Sequence, residues 1–331
     1  MPPVQPVELV QAILDAVEES GYSSLLMSSQ RTHPRKFAIS APDSTALSLW
    51  VYAWTLTHGG RESLPNEYRI QMTSVASPLQ LNPTGLTVLI GYEPNRKMLA
   101  GFDLSRHSVF TQGSPSVQID IRTLDQALQN GLAFDRKSNN EIAIGVRPDQ
   151  FVTYAVNADA LHKYGSNAAI LNMLDRAAAL QTIPDSDLAA MNAPRKRVIQ
   201  NVSRMSRAAN FRKQVLQAYD YRCAVSKIQL RLVDAAHVLP VGAPGSTDDV
   251  RNGIALAPTF HRALDAGLIY LDASYNMRIN ARKKVSLATL HLDGGIQNFE
   301  AVLGRILLPP DRRQWPDVSL INKANQYRLI G

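Results

Sequence analysis

The sequence predicts an α+β protein of two domains, the first mostly β and the second containing a ββα unit. A length of 331 residues suits two domains, and a hydrophobic content of 45% allows each a core. Short apolar runs separated by turn residues fill 22–160, whereas a strand–loop–strand–helix pattern occupies 219–272. We therefore place the first domain at 1–180, a basic linker at 181–205 and the second domain at 206–331.

An amphipathic helix opens the first domain. Residues 6–20 carry apolar side chains at helical spacing, and Gly21 ends the pattern. The apolar runs that follow are 37–39, 46–56, 68–72, 86–92, 98–104, 117–121, 142–146 and 151–156. Turn signals lie at 58–60, 82–85, 93–95 and 113–116. Strands at this spacing predict a compact domain with a barrel or a strongly bent sheet.

Polar and aromatic side chains on these strands are candidates for contacts with nucleic acid. Arg69, Gln71 and Arg122 could each contact a base or a phosphate, since Arg can pair with guanine edges and Gln with adenine edges. The alternative is that all three are ordinary exposed positions on alternating strands. Three aromatic residues recur at every second position and share one strand face: Trp50, Tyr52 and Trp54. That face could stack on bases, although such a stripe more often belongs to the core.

The segment between the domains is basic. A helical pattern within 161–192 precedes the run Arg195-Lys196-Arg197, which we expect to follow a DNA backbone. A solvated linker is the alternative, and the two are compatible. A further helix is predicted over 208–220, leading into the second domain.

The second domain contains three residues of interest, His237, Asn252 and His261. His237 lies in an apolar run at 233–238 that predicts a short strand. Asn252 ends a loop rich in Gly, Pro, Ser and Asp, and Gly253 follows it. This Asn-Gly pair is also typical of a plain turn.

A short helix is predicted around His261. Pro258-Thr259 is a typical helix start, and Asp265 lies four residues after His261 on the same face. Gly267 stops the helix, and two further strands are predicted at 268–271 and 277–280. An imidazole on a strand facing an imidazole and a carboxylate on a helix can hold a divalent cation beside a general base. Hydrolysis of a phosphodiester needs those parts.

These residues resemble the HNH nucleases, the ββα-metal superfamily, and in particular the subgroup found in restriction-type endonucleases. The matching stretches are Cys223-Ala-Val, Asp234-Ala-Ala-His237, Asn252-Gly253 and His261-Arg-Ala-Leu-Asp265-Ala-Gly267-Leu. Several separate elements therefore occur in the expected order over roughly the last third of the chain. The stretches 49–60, 67–71 and 113–118 look like N-terminal modules found ahead of such domains, where the module recognises the DNA target.

The resemblance implies that His237 is the general base rather than a core histidine, and that Asn252 fixes the loop and orients His237. It also implies that the helix carrying His261 and Asp265 supplies metal ligands, although Asp265 could instead orient a neighbour. Arg262 on the same helix could contact phosphate or be a surface arginine.

This chain departs from the family at Ala236, where many members carry a metal-binding acidic residue or histidine. Asp234 is the nearest carboxylate and a candidate third ligand. On an ideal strand it points to the face opposite His237, so a bulge or twist would be needed.

Two or three protein ligands would leave room for water and phosphate oxygens, which suits Mg²⁺, with Mn²⁺ as an alternative. We expect no structural zinc and no internal disulfide, because Cys223 is the single cysteine. Cys223 itself is expected to be a small buried hydrophobe.

Positive charge is concentrated in the second half of the chain. Residues 1–180 have 14 basic and 16 acidic side chains, a net charge of −2, whereas 181–331 have 21 and 12, a net charge of +9. A basic half that also carries the histidines favours a nucleic-acid partner, because Lys and Arg that neutralise phosphates release counterions. Basic surfaces that serve only solubility are the alternative.

The sequence therefore predicts a metal-dependent DNA endonuclease of restriction type, with an N-terminal recognition domain and a C-terminal nuclease domain. Cutting both strands of double-stranded DNA with one site per chain implies a homodimer or sequential nicking. Alternatives are a modification-dependent endonuclease and a non-cleaving DNA-binding protein with a spent nuclease fold. With no apolar run of membrane-spanning length and no signal peptide at the N-terminus, we expect no membrane contact and a cytoplasmic location.

Overall fold

A computed structural model describes all residues except 1–3, 42–44, 112, 114 and 331. Ser114 of the predicted turn at 113–116 therefore lies outside the described residues. The chain divides into two compact units, Met1–Ala209 and Asn210–Gly331. The α+β class is confirmed, since both units combine strands with helices. None of the described helices has the length and apolarity needed to cross a membrane.

Ten strands and most of the helices lie in the described part of the first unit. Its strands are β1 (Ser23–Leu26), β2 (Arg35–Ser40), β3 (Ala46–Thr55), β4 (Thr57–His58), β5 (Glu67–Gln71), β6 (Leu86–Glu93), β7 (Met98–Phe102), β8 (Ser116–Asp120), β9 (Leu132–Arg136) and β10 (Ile142–Val146). Its helices are α1 (Pro6–Glu19), α2 (Leu104–His107), α3 (Ile121–Asn130), α4 (Phe151–Gly165), α5 (Ala168–Ala178) and α6 (Asp185–Ala189), followed by α7 (Ala193–Ala218), which continues into the second unit.

A seven-stranded sheet in the order β1-β2-β3-β6-β7-β10-β9 separates two apolar cores. All neighbouring pairs are antiparallel except β3 and β6. One face packs on α1, α4 and α5. The other packs on α3 and on a small sheet in the order β4-β5-β8. In the described residues the large sheet is open, with β1 and β9 at its edges, so the predicted barrel is not formed.

The aromatic stripe on β3 belongs mainly to the core. Tyr52 and Trp54 are buried, and their polar atoms are satisfied: the Tyr52 hydroxyl donates to Gln80 O, and Trp54 Nε1 donates to Thr73 O. Trp50 is half-buried, with Lys36 Nζ 4.2 Å from its ring centroid. The core interpretation of this stripe is therefore correct for Tyr52 and Trp54.

The run 151–156 was predicted as a strand and is instead the start of α4. A turn of 3-10 helix at Pro148–Gln150 leads directly into it. The buried positions continue at helical spacing through Phe151, Tyr154, Ala158 and Leu161, so one long face packs on the sheet. An apolar run of six residues is compatible with a strand or a helix, and here the residues that follow it favour the helix.

The segment 181–205 is mostly helical. It contains α6 and the first half of α7, whose Val198, Ile199 and Val202 are buried in the core of the first unit. The helix predicted over 208–220 is the last part of α7, which begins much earlier.

The second unit is built around a two-stranded ribbon. Its strands are β11 (Asp234–His237), β12 (Gly253–Leu256), β13 (Ile269–Leu271), β14 (Asn276–Ile279) and β15 (Gly304–Arg305). Its helices are the end of α7, α8 (Pro258–Asp265), α9 (Ala281–Thr289), α10 (Ile296–Ala301) and α11 (Val318–Tyr327). The buried residues of α7, the ribbon and α8 form one core, which also includes Cys223, fully buried as predicted.

Candidate active site

The ribbon and α8 bring the predicted residues together. β11 and β12 pair antiparallel from Asp234↔Leu256 to His237↔Gly253. α8 starts at Pro258, directly after β12, and buries Phe260 and Leu264 against the ribbon. Gly267 follows α8 with a φ of +68°, a left-handed conformation that favours glycine and ends the helix. The predicted strand–loop–strand–helix order is therefore present.

His237 is held on two sides. Its Nε2 lies 3.1 Å from Asp248 Oδ1, and its ring stacks on Phe211 of α7 with centroids 3.9 Å apart and an interplanar angle of 12°. Its side chain is 17% exposed. Burial lowers the pKa of His237, and the Asp248 carboxylate only partly offsets this, so the imidazole is neutral at neutral pH.

Asn252 is fully buried and fixes the loop between the two strands. Its Oδ1 accepts a hydrogen bond from Leu239 N at 2.8 Å, and its Nδ2 donates to Thr247 O at 2.9 Å and Ser246 Oγ at 3.2 Å. Its backbone carbonyl accepts from Val238 N, directly after His237. The amide therefore ties both ends of the loop to the ribbon.

The backbone of Gly253 is not in the left-handed region, so its conformation does not require a glycine. Close packing requires it instead. Its φ is −115°, whereas a Cβ at this position would lie 2.2 Å from Val215 Cγ2 of α7. The Asn-Gly pair is thus the entry into β12, where the backbone passes against a helix.

His261 lies between two carboxylates. Its Nδ1 is 3.8 Å from Asp234 Oδ2, and its Nε2 is 3.4 Å from Asp265 Oδ2. Both are ion-pair distances, and 3.8 Å is too long for a good hydrogen bond. The contact with Asp234 raises the pKa of His261, and the same contact lowers the pKa of Asp234.

Arg212 is an unpredicted cation at this site. Its Nη1 lies 3.7 Å from Asp234 Oδ1 and donates to Val233 O at 3.3 Å. Its Nε is buried without a hydrogen-bond partner among the described residues. Burial lowers the pKa of Arg212.

The strand register indicates which face of the ribbon Asp234 occupies. The four pairs between β11 and β12 include no inserted residue, so alternation directs Asp234 and His237 to opposite faces of the ribbon. Two consecutive residues of α7 nevertheless reach both: Phe211 stacks on His237, and Arg212 pairs with Asp234. The charges of His261 and Asp265 also act on the pKa of His237.

The described residues contain no cluster of three or more His, Cys, Asp or Glu side chains in a metal-binding arrangement. His261 instead contacts the two carboxylates separately, Asp234 at Nδ1 and Asp265 at Nε2. Their carboxylates are nevertheless ligands that Mg²⁺ and Mn²⁺ prefer, and the imidazole is a ligand for borderline divalent cations.

The predicted DNA-contacting residues are spread over both units. Arg262 is exposed on α8, next to His261. Arg69 is half-buried on β5 opposite Gln118, and Gln71 is exposed opposite Ser116. In the first unit, at the start of α7, lie Arg195, Lys196 and Arg197. Arg122 donates to Asp120 from an exposed position.

Sequence reasoning missed Asp248, Phe211 and Arg212 as neighbours of the site. Asp248 lies in a loop with more than one acidic residue, and the sequence does not indicate which of them faces the strand. Phe211 lies in the helix predicted over 208–220, but its position in that helix does not reveal its contact with His237. Arg212 is one of many basic residues in this half of the chain.

Two family models match parts of the chain. The model described as HNH endonuclease matches 223–272, and the model described as Methylase-associated X1 matches 47–155. No protein with a curated description matches. One solved structure, described as a modification dependent TagI restriction endonuclease, is 12% identical, with 83% of this chain and 80% of that chain covered and a TM-score of 0.29. Similarity at this level establishes neither a common fold nor a common substrate.

Proposed function

We propose that this endonuclease, whose residues 223–272 belong to the HNH family, is a restriction-type enzyme that hydrolyses phosphodiester bonds of double-stranded DNA with His237 as its general base. One observation carries the proposal. The neutral imidazole of His237 is fixed at the end of β11, and the charges of His261 and Asp265 on α8 act on its pKa. A base that is neutral at the working pH can take a proton from the attacking water.

The residues around His261 fit a divalent cation, which HNH endonucleases generally use. Asp234 and His261 supply one carboxylate and one imidazole, and a hard cation with few protein ligands completes its shell with water and phosphate oxygens. We propose Mg²⁺, with Mn²⁺ as an alternative. When bound, the ion neutralises charge on the phosphate and on the leaving oxygen.

The two carboxylates beside His261 would have different roles. They face different ring nitrogens, Asp234 at Nδ1 and Asp265 at Nε2, and a metal ion binds only one of these nitrogens. Asp234 has the more buried side chain, 28% exposed against 62% for Asp265. We therefore assign Asp234 with His261 as ligands, and Asp265 as the residue that orients the imidazole from its other nitrogen.

The first unit would recognise the target. Its match to a family described as methylase-associated supports a restriction–modification setting. We propose Arg69 and Gln71 as base contacts. The run Arg195-Lys196-Arg197 would contact the DNA backbone, and Arg262 a phosphate near the cut. One site per chain implies that a homodimer, or two successive nicks, cuts both strands.

The experiment is cleavage of unmethylated and methylated plasmid DNA in Mg²⁺, Mn²⁺ or EDTA, with His237→Ala as the matched variant. Discrete bands from unmethylated DNA only, abolished by EDTA, are the expected result. His237→Ala should lower the rate by about 10²–10⁴-fold and still bind DNA. Cleavage of methylated DNA only would establish the modification-dependent alternative, and absence of cleavage with every metal would refute the nuclease proposal.

A further inference from the structure

We propose that Asp248 is the positioning residue of the active site: its carboxylate fixes His237 in the tautomer with the proton on Nε2, so that Nδ1 is the nitrogen that accepts the proton of water. This inference rests on the proposed role of His237 as general base. Asp248 is not one of the three motif residues, His237, Asn252 and His261.

The geometry restrains the imidazole in two ways. The contact of 3.1 Å between Nε2 and Asp248 Oδ1 fixes the rotation of the ring within its plane. The stack on Phe211, at 3.9 Å and 12°, fixes the plane itself. An imidazole restrained in both respects directs its remaining nitrogen along one line, as a catalytic base requires.

The carboxylate also decides which nitrogen carries the proton. In a neutral imidazole one nitrogen donates and the other accepts a hydrogen bond, and an ionised carboxylate only accepts. Nε2 of His237 must therefore donate to Asp248, which leaves the lone pair on Nδ1. Once Nδ1 has taken a proton from water, the carboxylate stabilises the imidazolium that forms.

The loop that carries Asp248 is fixed on both sides of it. Asn252 Nδ2 holds Thr247 O at 2.9 Å, and Asp249 accepts from Arg251 N at 2.7 Å, where it caps the 3-10 turn Val250–Asn252. Asp248 is therefore presented to His237 from a constrained backbone, although its side chain is 42% exposed. This gives Asn252 an indirect role, because it holds the residue that orients the base.

The test compares Asp248→Ala, Asp248→Asn and Asp248→Glu with Asp249→Asn as the matched control. Asp249→Asn changes the adjacent carboxylate and keeps a good capping side chain, so the loop retains its shape. Nitrogen NMR of the ¹⁵N-histidine-labelled full chain at about pH 8, where a neutral imidazole predominates, reports the tautomer of His237. The His237→Ala spectrum identifies its signal. Single-turnover cleavage in saturating Mg²⁺ reports the chemical step.

We expect the wild type and Asp249→Asn to show the Nε2-protonated tautomer and equal cleavage rates. Asp248→Ala should give a mixture of tautomers and a rate lower by about tenfold to a hundredfold, because a base that is no longer held in one orientation is misplaced for the reaction. Asp248→Asn should be at least as slow, because its amide can donate to Nε2 and favour the other tautomer. Asp248→Glu should restore part of the rate and of the tautomer signal.

An unchanged tautomer in Asp248→Ala would overturn the inference, whatever happens to the rate. A higher Mg²⁺ requirement with an unchanged tautomer would make Asp248 a metal ligand instead. Failure of the proposed function is distinguishable, because His237→Ala would then cleave as fast as the wild type. The tautomer of His237 in Asp248→Ala would still show whether Asp248 controls it.

Discussion

The buried amide of Asn252 can be tested by Asn252→Ala, which removes the side chain that closes the active-site loop. The substitution deletes the acceptor of Leu239 N and the donor to Thr247 O. A buried N–H left without a partner costs about 1–3 kcal/mol, and each lost hydrogen bond about 1 kcal/mol. We therefore expect the second unit to lose about 3 kcal/mol of its free energy of unfolding.

Hydrogen exchange followed by mass spectrometry measures this loss within the full chain. The slowest amides of a peptide covering 253–264 exchange through unfolding of the unit, because they lie in its core. A loss of about 3 kcal/mol should accelerate them roughly 100-fold, since about 1.4 kcal/mol is a factor of ten. The cleavage rate of the folded variant should also fall by about tenfold or more, because Asp248 no longer holds the base in its reactive orientation.

Asn280→Ala is the matched control. Asn280 is also buried, at 6% exposed, and its side chain accepts from Arg282 N and donates to Gly267 O at 3.0 Å. None of the hydrogen bonds of its side chain in the described part of the chain reaches the loop or His237. Asn280→Ala should therefore accelerate exchange similarly and leave cleavage by the folded protein unchanged. Equal losses of cleavage in the two variants would refute the reasoning, as would wild-type exchange in Asn252→Ala.

Three further outcomes follow from the same geometry. The rate of single-turnover cleavage should rise with pH to a plateau, with its midpoint below the ordinary histidine pKa of 6.5. Burial lowers the pKa of His237, and only the neutral imidazole accepts a proton. A midpoint above 6.5 would contradict this. Asp234→Asn should raise the Mg²⁺ concentration for half-maximal cleavage by about a hundredfold, against about tenfold for Asp265→Asn, and equal effects would refute the division of roles. Gly253→Ala should cost about 1–3 kcal/mol in chemical denaturation, because its Cβ would lie 2.2 Å from Val215 Cγ2. The added cost should be smaller in a Val215→Ala background, and a cost independent of residue 215 would show that this contact is not its cause.

Local patterns predicted the second unit better than the first. The strands β11, β13 and β14 and the helix α8 each have a short apolar pattern with a clear start or stop, such as Pro258 and Gly267. In the first unit, the run at 151–156 satisfies a strand pattern locally but continues as a helix through Leu161. Whether the sheet closes depends on pairings between strands far apart in sequence, which periodicity does not contain.

The segment 181–205 illustrates a second limit. Its charge and prolines favour a linker, yet Val198, Ile199 and Val202 repeat at helical spacing and are buried in the first unit. Three apolar residues among charged ones were too few to outweigh the composition. The contacts of Asp248 and Phe211 with His237 were equally hidden, because each depends on how a loop or a helix packs against the strand.

The pKa values of the two histidines at the site are shifted in opposite directions, and this difference supports the proposal that they have different roles. Burial against Phe211 lowers the pKa of His237, so it is neutral and able to accept a proton. The contact with Asp234 raises the pKa of His261 when no cation is bound, since the carboxylates on both sides favour a positive charge there. A position that stabilises a proton in this way is also suited to a metal ion, which replaces that proton. Such a separation of two titratable groups supports the proposal that His237 is the base and that His261 holds the cation.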